Sequence, residues 1–179
     1  MPTNPVYPRL SGVNYESMVD GTGVRATFYL SGCSHNCPGC HNPETHNPDH
    51  GTLITNADIQ QFAVEIVKRP YVQGITLSGG DPFYDPRKTL NFIRKLLELL
   101  SYITTKEYNI WIYTGYTLEN LLLAEGHTAE LLSYAHTLVD GPFIQELADK
   151  SLPFRGSSNQ RLINIPARNT LLIQEETKA

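Results

Sequence analysis

Arg25-Ala26-Thr27-Phe28-Tyr29-Leu30-Ser31-Gly32-Cys33-Ser34-His35-Asn36-Cys37-Pro38-Gly39-Cys40 is the stretch on which the reading of this chain turns. Residues 25–31 read as a strand, and the strand runs directly into a loop that holds all three cysteines of the chain, spaced C-x3-C-x2-C within eight residues. Three thiolates are one too few for a closed four-ligand site. A [4Fe-4S] cluster held by three cysteines leaves one iron without a protein ligand, and an open coordination position separates a reactive site from a structural staple. The loop therefore points to a reactive cluster at Cys33, Cys37 and Cys40. Zinc is the competing reading, with His35, His41 or His46 as a fourth ligand.

Working outward, the elements alternate. Thr55 with Asp58 three residues later gives a helix start. Ile59, Phe62, Ala63, Ile66 and Val67 then put one apolar stripe toward a core until Pro70 ends the helix. A second strand, Gly74 to Ser78, runs into Gly79-Gly80-Asp81-Pro82. Asp85 and Pro86 read as the cap and first turn of a long helix through Leu100. A third strand, Asn109 to Tyr113, ends in Thr114-Gly115-Tyr116, and short helical pieces fill Thr117 to Tyr134. A fourth strand, Thr137 to Asp140, ends in Gly141-Pro142, with further β-like runs at Arg161 to Ile165 and Thr170 to Ile173. Residues 14 to 25 have the turn chemistry of a loop packed near a site.

This order predicts an α/β fold with a mostly parallel sheet. The cysteine loop and the Gly-Gly-Asp-Pro, Thr-Gly-Tyr and Asp-Gly-Pro turns all follow strand ends, where ligands gather in parallel α/β sheets and barrels. They are expected to share one site. Gly79-Gly80 offers backbone that a small ligand can approach closely. Asp81 suits an ammonium or ribose group, or alternatively a turn or helix cap. Arg25 reads either as paired with a carboxylate or as an edge-strand arginine. Tyr116 packs at a rim or stacks on a nucleoside. The histidines beside the cysteines read as hydrogen-bond partners, so no catalytic base is assigned. Arg155-Gly156-Ser157-Ser158-Asn159-Gln160 reads as a surface loop, and Arg155, Arg161 and Arg168 as solvated surface charges.

With 179 residues the chain is expected to form one domain, 1–179, with a core over about 14–165 and a tail of open role. A chain of this size buries about 70% of the surface its unfolded form exposes. An odd number of cysteines confined to one loop argues for a reducing, cytoplasmic setting rather than a disulfide framework. No apolar run approaches the roughly 20 residues of a membrane span. With 14 Lys+Arg against 18 Asp+Glu, net −4, and no basic tract, nucleic-acid binding is not expected.

Taken together, these motifs resemble the radical S-adenosylmethionine superfamily, whose signature is a C-x3-C-x2-C loop after the first strand and a Gly-Gly-Glu/Asp turn after the second. Within it the chain resembles the activating proteins of anaerobic (class III) ribonucleotide reductases. The residues carrying this are Asp20-Gly21-Thr22-Gly23-Val24-Arg25, Leu30 through Cys40, Leu77 through Pro82, Trp111 through Tyr116, Val139-Asp140-Gly141 and Arg155 through Gln160. Gly39 before the third cysteine and Asp81 after the double glycine are as these activases have them. Thr22 departs from the Pro common in glycyl-radical activases.

The resemblance implies a partial (β/α) barrel and an activating enzyme, an oxidoreductase, in which the open iron of the cluster chelates S-adenosylmethionine. One electron, from a low-potential donor such as flavodoxin, cleaves the sulfonium to methionine and a 5′-deoxyadenosyl radical. That radical takes a hydrogen atom from a glycine of the large subunit of the anaerobic reductase. Cys33, Cys37 and Cys40 carry over as cluster ligands. Gly39, Cys40, His41 and Gly80, with Asp81 and Thr114, carry over as cosubstrate contacts. The rival readings are an activase for another glycyl-radical enzyme, an electron carrier and a zinc-stapled binding module.

Overall fold

Period-2 alternation in the strands gives the sheet two unlike faces, and that difference positions everything else. A computed structural model describes residues 6–166. Its seven strands are β1 (Arg9–Ser17), β2 (Val24–Leu30), β3 (Thr52–Leu53), β4 (Val72–Gly79), β5 (Asn109–Tyr113), β6 (Thr137–Asp140) and β7 (Arg161–Asn164). They form one sheet in the order β3-β1-β2-β4-β5-β6-β7. The pairs β2/β4, β4/β5 and β5/β6 are parallel, while β1 runs antiparallel to both β2 and β3, and β7 antiparallel to β6. Among the described residues the sheet is open, with β3 and β7 as its edges.

The helices are α1 (Asn56–Val67), α2 (Pro86–Ile103), α3 (Leu118–Leu122) and α4 (His127–Leu132). Their starts are the ones the sequence marks. Thr55 and Asp58 exchange the reciprocal bonds of a capping box, and Asp85 accepts from Lys88 N at 3.1 Å with Pro86 in the first turn. Because the parallel strands are neighbours in chain order, right-handed crossovers carry the helices to one face. There α1 packs on α2, and α2 on α4. Phe28 of β2 meets Phe62 of α1 and Phe92 of α2 at ring separations of 5.3 and 5.1 Å, at the centre of the apolar core. The alternate residues Arg25, Thr76, Trp111 and Tyr113 belong to the opposite, more polar face.

Two expectations change. Residues 14–17 are not loop but the end of β1, a strand the residue pattern hides because Gly12 and Asn14 are poor strand formers. Gly12 and Asn14 are nonetheless paired, with Tyr29 and Thr27, and the register shifts on either side of them, between Leu10 and Gly12 and between Asn14 and Ser17. Arg25 is not an edge residue, and among the described residues it pairs with no carboxylate. It is fully buried in an inner strand, and its five N–H groups reach Thr76 Oγ1, Thr22 O, Asn109 Oδ1, Ile75 O and Asn109 O at 2.6–3.2 Å. Its guanidinium also lies over Trp111 at 5.2 Å. Burial lowers its pKa to about 10. The β-like run at 170–173 and Arg168 lie outside the described residues.

Candidate active site

The cysteine loop leaves β2 through Gly32, whose φ of +103° lies in the region open to glycine, and is held from the other side by the 3₁₀ turn Pro43–His46. Gly32 N donates to Thr45 O at 2.8 Å and Cys33 N to His46 O at 3.3 Å, while Cys40 N closes a turn onto Cys37 O at 3.2 Å. All three thiols are free and half-buried, and all three line one cavity of about 720 Å³ at the carboxyl ends of the parallel strands. Burial pushes the Cys33 thiol up to about 11, against a backbone hydrogen bond from His35 that acts the other way. Among the described residues, no three His, Cys, Asp or Glu side chains gather closely enough for one metal ion. Three thiols in one cavity wall suit a multi-iron group that takes one thiolate per ligated iron.

The turn after β4 lies against the cysteine loop. Gly79 takes φ +97°, and a Cβ there would come within 2.5 Å of Leu30 N and O. Gly80 N donates to Leu30 O at 2.7 Å and Asp81 N to Gly32 O at 2.8 Å, which locks the two loops main chain to main chain. The Asp81 carboxylate, 1% exposed, accepts from Phe83 N at 2.8 Å, Gly115 N at 3.0 Å and Thr114 Oγ1 at 2.9–3.0 Å. It also meets His35 Nε2 at 2.8 Å. Gly80, Thr114, His41 and Cys40 border the large cavity, whereas Gly39 and Asp81 lie outside its wall. His41 faces Phe143 at 6.1 Å.

The 4Fe-4S single cluster domain family matches residues 19–163. The anaerobic ribonucleoside-triphosphate reductase-activating protein of Escherichia coli (strain K12) is 39% identical over 147 residues, covering 80% of this chain and 90% of the relative. Its counterpart in Enterobacteria phage T4 is 36% identical over 146 residues, covering 80% and 86%. That of Haemophilus influenzae is 38% identical over 149 residues, covering 80% and 89%. The chain belongs to the anaerobic ribonucleoside-triphosphate reductase-activating protein family.

For a member of this activating-protein family with a matched 4Fe-4S domain, the zinc reading of the cysteine loop falls away. Other parts of the site escape the residue-by-residue reading. The segment Arg155 to Gln160 is not a free surface loop. Gln160 Nε2 donates to Gly141 O at 3.1 Å and Asn159 Nδ2 to Pro142 O at 2.8 Å, while Gln160 Oε1 accepts from Gly156 N. These bonds bring Arg155, Gly156 and Gln160 into the cavity wall of this activating protein. Arg161 is no free surface charge either, since it bonds buried Asp140 at 2.5 and 2.9 Å and also pairs with Glu119. Asp20 and Tyr113 enter the wall as well. Tyr116 packs edge-on against His35 at 4.5 Å. A Gly-containing run of polar residues beside a strand-end turn is the signal that could have marked 155–160, but it does not name its partners.

Proposed function

We propose that this chain activates the large subunit of an anaerobic ribonucleotide reductase by forming a glycyl radical on it at the expense of S-adenosylmethionine. The carrying observation is that the three thiols, Gly80 and Thr114 converge on one cavity within a chain of the activating-protein family. Its volume of about 720 Å³ suits a small-molecule site, for which about 300–1,000 Å³ is usual.

Cys33, Cys37 and Cys40 would hold a [4Fe-4S] cluster, which supplies, at the iron without a protein ligand, the electron that cleaves the sulfonium of bound S-adenosylmethionine. The remaining work falls to the chain's own residues. Gly80 presents bare backbone to the cavity, and His41, Cys40 and Thr114 share its wall, so that the cosubstrate is oriented there, with Gly39 contributing from the loop just outside that wall. Asp81 serves the same end by fixing Thr114 and the Gly80 turn. Arg155 and Gln160, also in the cavity wall, help keep water from it. The open sheet, with its polar face toward the cavity, is consistent with the partial (β/α) barrel of the superfamily and leaves one side free for the glycine-bearing segment of the partner. The whole chain, 1–179, is read as one domain. The electron comes from a low-potential carrier of the flavodoxin kind, and the setting is the cytoplasm. Among the described residues no helix is long and apolar enough to cross a membrane.

The test is to combine the reduced, cluster-loaded protein, S-adenosylmethionine and the purified large subunit without oxygen, then record the EPR spectrum. A glycyl-radical doublet on the large subunit is expected. Its absence, with a doublet instead on another glycyl-radical enzyme, would move the chain to a different partner.

A further inference from the structure

His35 stands midway between two cysteines of the loop, and its ring is held on three sides. Nε2 lies 2.8 Å from Asp81 Oδ2, the ring edge meets Tyr116 at 4.5 Å, and the ring lies against Gly115. A Cβ at Gly115 would come within 2.6 Å of the ring's Cγ and Nε2, so the ring occupies space that only a glycine leaves open. The other partners of the Asp81 carboxylate are Phe83 N, Gly115 N and Thr114 Oγ1. The first two are N–H donors. The Thr114 hydroxyl accepts from Tyr116 N at 3.1 Å, which leaves its proton for Asp81. An ionised carboxylate is acceptor-only with about four lone-pair sites, so beside these three donors Asp81 has room for a fourth, an Nε2–H from His35.

We infer that His35 is a positioning residue that pins the middle of the cysteine loop to Asp81, and that the Asp81 carboxylate is spent on this brace rather than on a ligand. The inference rests on the reading of the cysteine loop as a cluster site and deepens it. Asp81 is reached from three strand ends at once, by His35 after β2, by its own turn after β4, and by Thr114 and Gly115 after β5. A single buried carboxylate thus fixes the loop that carries the thiols relative to Gly80 and Thr114. The loop is shaped before any metal arrives, and the cluster it receives is held by a preorganised frame.

The experiment compares wild type with His35→Leu, His35→Gln and Gly115→Ala. Amide hydrogen exchange over residues 33–40 is measured on the metal-free chain, and the rate of cluster loss to a chelator on the reconstituted chain. Loss of a buried hydrogen bond to a charged group predicts exchange and cluster loss at least about tenfold faster in His35→Leu. Gln keeps an N–H donor near the Nε2 position, and His35→Gln is expected to return both rates to within about threefold of wild type. Gly115→Ala displaces the ring and should resemble His35→Leu, which keeps the test decisive should the Leu variant misfold. Unchanged loop exchange in both His35→Leu and Gly115→Ala overturns the brace. Wild type that takes up no cluster overturns the cluster reading instead, and the metal-free exchange still decides the brace.

Discussion

Gly80→Ala isolates how tightly the turn after β4 is fitted to the cysteine loop. Gly80 has no left-handed φ, so alanine introduces no backbone strain, and the whole effect is one of space. A Cβ there would sit against Gly32 O and 2.9 Å from both Gly32 C and Thr45 O, all main-chain atoms. To reach ordinary contact distances the segments must part by about 0.5–1 Å. That movement loads two hydrogen bonds, Asp81 N to Gly32 O and Gly32 N to Thr45 O, both 2.8 Å. Overpacking of this kind costs about 1–3 kcal/mol, and in a chain of this size each kcal/mol lowers the melting temperature by roughly 2–4 °C. Cys33 follows Gly32 directly, so the thiol moves with it. A misplacement near 1 Å at a reacting site costs on the order of 100-fold in rate. The assay pairs thermal melting of the metal-free protein with the rate of 5′-deoxyadenosine formation after reconstitution. A variant that melts within 1 °C of wild type and turns over at the same rate would refute the reasoning.

Three further outcomes follow from the same geometry. Cys37→Ala, like Cys33→Ala and Cys40→Ala, should abolish glycyl-radical formation, and full radical yield from any of them would remove the cysteines from the cluster. Arg25→Met strands acceptors on Thr22, Ile75 and Asn109. Relief from burying a charge offsets part of this, leaving a loss of about 2–4 kcal/mol by urea unfolding, and a loss under about 1 kcal/mol would show that the acceptors find other donors. Asp140→Ala leaves Leu118 N and Arg161 without their buried acceptor. Because Arg161 is partly exposed and keeps Glu119, the expected cost is only about 1–3 kcal/mol, and an unchanged urea midpoint would contradict it.

The parts of this molecule that the sequence makes legible are those set by local rules. Thr55 with Asp58, Asp85 with Pro86, and the 3.6-residue stripe of α1 each act within a few residues, so α1 and α2 are found with their starts. The helix α2 runs on to Ile103, past the expected Leu100. The strands β2, β4, β5 and β6 are legible for the same reason, and so is the gathering of their following loops at one cavity. What escapes depends on distant partners. β1 exists because β2 and β3 pair with it despite Gly12 and Asn14. Arg25 is buried because acceptors from β4 and β5 converge on it, and because Gly74 has no side chain where the guanidinium passes. The polar run Arg155 to Gln160 reads as surface until its partners, the carbonyls of Gly141 and Pro142, are seen. Asp81 reads equally as cap or ligand group until its donors are counted.

The most direct test of the account is the EPR spectrum of the anaerobically reconstituted, reduced protein with and without S-adenosylmethionine, alongside assay of 5′-deoxyadenosine. The account predicts a [4Fe-4S]⁺ signal that changes on addition of S-adenosylmethionine and 5′-deoxyadenosine formed in step with electron supply. A cluster signal indifferent to S-adenosylmethionine, with no 5′-deoxyadenosine, would contradict it and leave an electron carrier in its place.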